Sequence, residues 1–292
     1  MRSKRTALFS HSSILLVHLP LWKVPSLCGD IILECLHASQ FVRSMAQKTR
    51  SPNNSKRDVP GDVEYALAWL KKRGTKRNRE GMARYGIVAK KVFGVSMGTM
   101  QSLAKKLGKS HELSRALWKT GWYEARMLAS MVGEPDKVTP AEMERWARAF
   151  ENWAVCDTMT FKLWDRTPHA WAKVNEWSTR DEEFVKRAAF ALLASLTVHD
   201  KKAPDENYLK GLELIEREAA DGRNFVRKAV NWALRSIGKR NPALNKEAVS
   251  VASRMAESDN AAERWVGKDA LRELTSPAVQ ERLAARASRK RA

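Results

Sequence analysis

The chain has 292 residues, with 53 Lys and Arg against 33 Asp and Glu, which gives a formal net charge of +20. Hydrophobic residues make up 43% and charged residues 29%, values that are typical of a globular protein and that exclude a largely disordered or membrane-embedded chain. The excess of positive charge indicates a polyanionic partner, such as nucleic acid or an acidic lipid surface.

Residues 1–60 form an N-terminal extension that we expect to lie outside the folded domain. Its apolar run "SILLVHLPLW" is too short to span a bilayer and is interrupted by Pro20. The extension is either an organelle transit peptide or a start-site artefact, with translation beginning at Met45. We therefore expect a cytoplasmic, nucleoid-associated protein if the chain is bacterial, and an organellar or nuclear one if the extension is a targeting signal.

A dense basic block follows the linker "SPNNSKRDVPG". Residues 71–110 hold twelve Lys and Arg but one acid, Glu80. A concentrated positive field suits contacts with DNA phosphates; the alternative is a solvated basic loop, "KKRGTKRNREG". The DNA-binding candidates in this block are Lys71, Lys72, Arg73, Lys76 and Arg77.

From Val63 onward the sequence predicts helices almost throughout, because apolar residues recur every three or four positions and Gly and Pro fall between segments. The stretch "TPAEMERW" predicts a helix start. Thr139 would cap the helix, Pro140 would occupy its first turn, and Glu142 would complete a capping box.

Three predicted helices resemble one another and begin at Phe184, Phe225 and Trp265, with spacings of 41 and 40 residues. This period is typical of two-helix repeats. The sequence therefore predicts an all-α protein, a HEAT/armadillo-like helical-repeat solenoid with a concave basic face. We expect the repeat domain to cover residues 61–276 and residues 277–292 to form a basic C-terminal tail.

Cations occupy one equivalent position in these three helices, namely Arg187, Lys228 and Lys268. In register, they would line one face of the solenoid with positive charge and contact DNA. The alternative is that each pairs with a nearby acid, such as Glu182 or Glu183.

The segment "FENWAVCDTMTFKLW" predicts a helix over residues 150–164 with one aromatic face that includes a carboxylate, Asp157. Burial of that acid requires a partner. It is either a structural salt bridge, for example to Arg187, or a functional group. We expect Trp153 and Asp157 to reach the DNA face. The other members of the stripe, Phe150, Phe161 and Trp164, would pack in the core.

A later helix carries a polar stripe next to an aromatic residue, Trp232. Its members are suited to contacts with phosphate oxygens. They are Lys228, Asn231, Arg235 and Lys239.

The sequence shows no sign of a cofactor. Its three cysteines form no CxxC pair, its six histidines are not spaced as metal ligands, and it has no glycine-rich nucleotide loop. We therefore expect neither a metal site nor a nucleotide cofactor.

Four segments together resemble the DNA alkylation repair family, the AlkD-like alkylpurine DNA glycosylases built of HEAT-like repeats. They are "HELSRALWKTGWYEARMLASMV", "RWARAFENWAVCDTM", "EEFVKRAAFALLASLTVHDKKA" and "RNFVRKAVNWALRSIGKRNP". The resemblance covers roughly residues 62–275. It implies that Trp153, Asp157, Arg187 and Trp232 are the catalytic residues.

The resemblance further implies a monomeric, monofunctional glycosylase acting on double-stranded DNA that carries alkylated bases. A purine alkylated at N3 or N7 is cationic, so it leaves as a neutral base, and the protein must mainly stabilise the positive charge on the sugar. The implied site cradles the duplex backbone without base flipping. The family also includes DNA-structure binders with little or no glycosylase activity, and non-catalytic binding of DNA structures is the alternative function.

Overall fold

The computed structural model describes residues 57–291, and these residues contain α-helices and two 3₁₀ turns but no strand. The expected N-terminal extension, apart from residues 57–60, lies outside the described residues. The helices are α1 Val59–Arg73, α2 Lys76–Arg84, α3 Met97–Leu107, α4 His111–Lys119, α5 Tyr123–Val132, α6 Pro140–Arg148, α7 Trp153–Lys162, α8 Ala170–Ser178, α9 Glu183–His199, α10 Asp205–Glu218, α11 Asn224–Gly238, α12 Pro242–Ala256, α13 Ala261–Leu274 and α14 Pro277–Arg291.

The helices are arranged in two rows. Helices α5, α7, α9, α11 and α13 pack each against the next and form an inner row, whereas α8, α10 and α12 form an outer row that covers it. Each outer helix also packs on the inner helix that follows it in the chain. This arrangement of stacked hairpins confirms the HEAT-like helical-repeat fold.

The repeat period identifies real structural units. Phe184, Phe225 and Trp265 lie in the first two turns of α9, α11 and α13, which are three consecutive members of the inner row. The rings of Phe184 and Phe225 lie 5.6 Å apart between centroids. Helices with the same apolar face therefore stack side by side, as the spacing predicts.

Helix α7 is shorter than the predicted helix over residues 150–164. It starts at Trp153, because the side chain of Asn152 accepts a hydrogen bond from the Val155 N–H and caps the helix. Trp164 lies beyond its end in a 3₁₀ turn.

The apolar members of the predicted stripe do pack in the core. The ring of Phe150 lies 5.4 Å from that of Trp164, which lies 5.5 Å from Trp177. Phe161 is also buried, and its ring meets the edge of His199.

Thr139 caps α6 as predicted, since its hydroxyl accepts a hydrogen bond from the Glu142 N–H. The capping box, however, is only half formed. The carboxylate of Glu142 turns to His111 at 3.1 Å and to Arg115 at 3.3 Å, so it ties α6 to α4.

The predicted basic C-terminal tail is helical over Pro277–Arg291 and packs on the repeats. Val279 and Leu283 are buried, and the amide of Gln280 donates to the Leu274 carbonyl. No helix among the described residues is long and apolar enough to cross a bilayer.

Candidate functional site

The centre of the site is an ion pair between α7 and α9, two neighbouring inner helices. Arg187 donates from Nε to Asp157 Oδ1 at 2.8 Å and from Nη2 to Asp157 Oδ2 at 2.7 Å. Its Nη1 donates to the main-chain carbonyl of Phe225 on α11 at 2.6 Å. The guanidinium thus links three consecutive inner helices through one carboxylate and one carbonyl.

The pair is sealed from solvent, since Asp157 is 2% exposed and Arg187 1% exposed. Burial raises the pKa of the Asp157 carboxyl, although the Arg187 guanidinium acts in the opposite direction. The sequence predicts that Asp157 reaches the DNA face; the structure instead buries it against Arg187, the partner that the sequence offered as the alternative.

Trp153 lies one turn before Asp157 and borders the pair, with its ring centroid 5.9 Å from the Arg187 guanidinium carbon. It is also nearly buried, at 7% exposure. Its indole Nε1 donates to the main-chain carbonyl of Tyr85 at 2.9 Å. The ring is therefore held in one orientation from outside the repeat helices.

Tyr85 begins a segment, residues 85–91, that we call the strap. The side chain of Asn152 donates to the Val88 carbonyl at 3.0 Å, one residue before Trp153. Gly86 has φ of +68°, a conformation that glycine adopts without strain, and faces the ring of Phe225. The strap thus lies against the N-terminal end of α7 and against α11.

A buried acid anchors the chain just after the strap. Glu124 is fully buried, and its carboxylate accepts hydrogen bonds from the N–H groups of Phe93, Gly94 and Val95 at 2.7–3.2 Å. The Tyr123 N–H also donates to the Lys91 carbonyl. Helix α5 therefore fixes where the strap ends.

Trp232 and Lys228 lie one turn apart on α11, and both are half-buried. The side chain of Lys228 has no hydrogen bond or ion pair to any other residue within 57–291, and the same holds for the exposed side chain of Lys268 on α13. These two cations remain available to a ligand, unlike Arg187 in the same register.

The rest of the predicted phosphate-binding stripe is already paired with acids of α13. Asn231 donates to Asp269 at 2.7 Å, Lys239 donates to Glu273 at 2.6 Å, and Arg235 also pairs with Glu273. The expectation of four free phosphate donors on one helix therefore does not hold in this structure. Asn231 and Arg235 join α11 to α13, and Lys239, directly after the end of α11, is also paired with an acid of α13.

The stretch "KKRGTKRNREG" lies mostly in α1 and α2, which are separated by Gly74 and Thr75, so it is solvated but is not a loop throughout. All five candidates, Lys71, Lys72, Arg73, Lys76 and Arg77, are exposed at the end of α1 and the start of α2. Arg73 covers the ring of Trp69 at 3.7 Å, and Lys76 lies 3.6 Å from Glu80. No side chain of α2 is buried.

Sequence reasoning missed the strap and its anchors. A main-chain carbonyl such as that of Tyr85 leaves no side-chain signal, and Asn152 could be identified only as a cap before an apolar helix. Glu124 gave a weak signal as an acid at a helix start, which also describes ordinary helix-dipole residues.

The arrangement can supply electrostatics more readily than acid–base chemistry. The carboxylate lies beside a guanidinium and is bordered by an indole. Once a positively charged group can reach it, the carboxylate can stabilise that charge. In the described part of the chain, no three His, Cys, Asp or Glu side chains lie close enough together to hold a metal ion.

Comparison with known proteins gives three results. Residues 66–274 match the family model described as "DNA alkylation repair enzyme". One solved structure, described as a new family of proteins related to the HEAT-like repeat DNA glycosylases with affinity for branched DNA structures, matches 73% of this chain and 95% of its own, with 21% identity and a TM-score of 0.61. At 21% identity, this match shows that the two proteins share a fold and no more. No curated protein matches the chain.

Proposed function

The chain belongs to the DNA alkylation repair enzyme family, and from that premise we propose that it is a monofunctional glycosylase, a hydrolase of N-glycosidic bonds. Its substrates are cationic purines alkylated at N3 or N7 in duplex DNA. The observation that carries the proposal is the contact of Trp153, Asp157 and Arg187 on adjacent inner helices, with Trp232 on the next.

The chemistry needs little acid catalysis. When the bond between C1′ and the purine nitrogen breaks, its electron pair neutralises the cationic base, and positive charge develops on the sugar. The carboxylate of Asp157 stabilises that charge and orients the water that attacks C1′. Trp153 and Trp232 contact the deoxyribose, while Lys228 and Lys268 bind phosphates.

Burial of the ion pair adds one requirement to this mechanism. Asp157 is 2% exposed, so the groups packed around it must rearrange before a sugar can approach. Both carboxylate oxygens also accept hydrogen bonds from Arg187. A phosphate that draws the guanidinium away frees the carboxylate for the sugar.

Replacement of Asp157 by Asn tests the proposal. We expect Asp157→Asn to lower the rate of 7-methylguanine release from methylated duplex DNA by roughly 10²–10³-fold, because the amide keeps the shape but not the charge. Base release is measured by chromatography of the free base, and DNA binding by fluorescence anisotropy.

Asp165→Asn is the matched control. Asp165 is also a buried acid, paired with Arg166 and hydrogen-bonded to the His199 ring, but it lies beyond the end of α7. We expect this variant to lose stability and keep base release. Equal release by wild type and a folded Asp157→Asn variant contradicts the enzymatic proposal.

A second function, binding to DNA of unusual structure without catalysis, is favoured by the sealed Asp157–Arg187 pair. The structure described as having affinity for branched DNA has the same fold. For this function we expect a four-way junction to bind about tenfold more tightly than a linear duplex of equal length, with no base released. Equal affinity for the two forms counts against it.

A further inference from the structure

The strap carries the two most exposed large apolar side chains of the described residues. Tyr85 is 48% exposed and Val88 72% exposed, although the main chain of both residues is fixed by hydrogen bonds from Trp153 and Asn152. Exposed apolar groups held in fixed positions beside a candidate site are typical of a contact surface.

Positive charge flanks this apolar tip on both sides. Arg84 precedes it, and Lys90 and Lys91 follow; all three are exposed. One acid lies nearby, Glu151, at 3.9 Å from Lys90. An apolar tip between cations matches the chemistry of nucleic acid, where bases present flat apolar faces between phosphates.

We infer that the strap is a wedge that inserts Tyr85, supported by Val88, at the base step beside the nucleotide bound at Trp153. The partner is duplex DNA. Trp153 donates its indole N–H to the Tyr85 carbonyl, so the ring of Tyr85 projects from a point bonded directly to the site. Partial unstacking of one step exposes the sugar edge of the bound nucleotide to the protein without flipping its base.

The geometry makes a clean experiment possible. Because Trp153 bonds the main chain of Tyr85, Tyr85→Ala removes the ring and leaves that hydrogen bond in place. The ring is half exposed, so the variant is expected to fold as wild type does. Tyr85→Phe is the conservative variant, and Leu209→Ala, an exposed apolar residue on the outer helix α10, is the matched control.

The test measures 2-aminopurine fluorescence at saturating protein. The duplex carries 2-aminopurine beside a 2′-fluoro-7-methylguanosine, whose fluorine resists loss of the base. We expect fluorescence to rise with wild type, Tyr85→Phe and Leu209→Ala, and most of the rise to be lost with Tyr85→Ala. Affinity for this duplex should fall about tenfold in Tyr85→Ala.

The inference rests on the proposed function for its partner, DNA, and for the position of the bound nucleotide at Trp153, but the wedge and the glycosylase activity can fail separately. A rise that Tyr85→Ala retains in full overturns the wedge. If the rise in 2-aminopurine fluorescence requires Tyr85 but the wild-type protein releases no base, the wedge is supported and the glycosylase proposal is contradicted. Base release with no rise in fluorescence contradicts the wedge and leaves the glycosylase standing.

Discussion

At Asp157, the free energy of desolvation opposes the free energy of pairing. Removing two charges from water costs several kcal/mol for each ion, and two short hydrogen bonds with a third to Phe225 offset that cost. A pair of this kind contributes little net stability, but loss of either partner leaves an uncompensated buried charge. The pair therefore fixes the geometry of the site more than it stabilises the fold.

This asymmetry gives a double-mutant prediction. We expect Arg187→Met to lower the free energy of unfolding by about 3–5 kcal/mol, because the Asp157 carboxylate loses its partner. The single variant Asp157→Leu should also destabilise the protein, and the double variant, which carries both substitutions, should recover much of the loss. Urea unfolding measures the stability of the two single variants and of the double variant. If the losses of the two single variants simply add in the double variant, the pair is not coupled as the structure indicates.

The sequence predicted part of this residue-scale geometry. An acid within an apolar stripe required a partner, and Arg187 was one of the alternatives that the helix register offered. Whether the pair would be sealed or exposed depends on neighbours far away in sequence. The carbonyls of Phe225 and Tyr85, which hold Arg187 and Trp153, belong to the main chain and cannot be recognised from residue type.

At the scale of elements, α11 and α13 interlock through matched spacings. Asn231 and Arg235 are four residues apart, as are their partners Asp269 and Glu273, so each contact spans 38 residues. Periodicity located the stripe on α11 correctly. It could not show that the facing helix carries acids in the same register, because that depends on how two repeats are offset when they stack.

The turn between α10 and α11 gives a pH-dependent prediction. Side-chain hydrogen bonds from Arg223 lower the pKa of Asp221 to about 2, although burial opposes this shift, and Lys186 of α9 lies 3.3 Å away. A pKa that is lower in the folded state stabilises the fold above the unfolded pKa near 4. That contribution disappears as the pH falls towards 2.

We therefore expect Asp221→Asn to cost about 2 kcal/mol of unfolding free energy at pH 7 and progressively less between pH 4.5 and 3. Urea unfolding at several pH values measures the difference from wild type. A difference that stays constant over this range would mean that ionisation of Asp221 does not stabilise the turn.

At the scale of the whole molecule, positive charge is divided between paired and available cations. The exposed cations of α1 and α2 lie near the start of the described residues, and Lys228 and Lys268 lie on the last two inner helices. Net charge predicted the class of partner. It could not separate these cations from those held in ion pairs, because pairing depends on the packed structure.

Salt dependence distinguishes the two groups. We expect Lys228→Ala and Lys268→Ala each to reduce the slope of log K against log salt for duplex DNA by about one. Lys239→Ala changes the residue directly after α11, which is paired with Glu273, and should leave the slope unchanged. Anisotropy titrations at several salt concentrations give the slopes, and equal effects of all three variants would exclude this division of the cations.

The helical-repeat architecture was predictable because it depends on a local pattern repeated along the chain, about 40 residues at a time. The strap was not, because it has no period and its bonds connect residues 64 and 68 positions apart.

Those long separations bear on the order in which the protein folds. A helical hairpin brings together residues close in sequence, so each repeat can form early and extend to its neighbour. The strap must wait, because Tyr85 and Val88 can find Trp153 and Asn152 only after the helices between them have stacked. We therefore expect the strap, which is bonded to Trp153 and Asn152, to be among the last segments to form and the first to open.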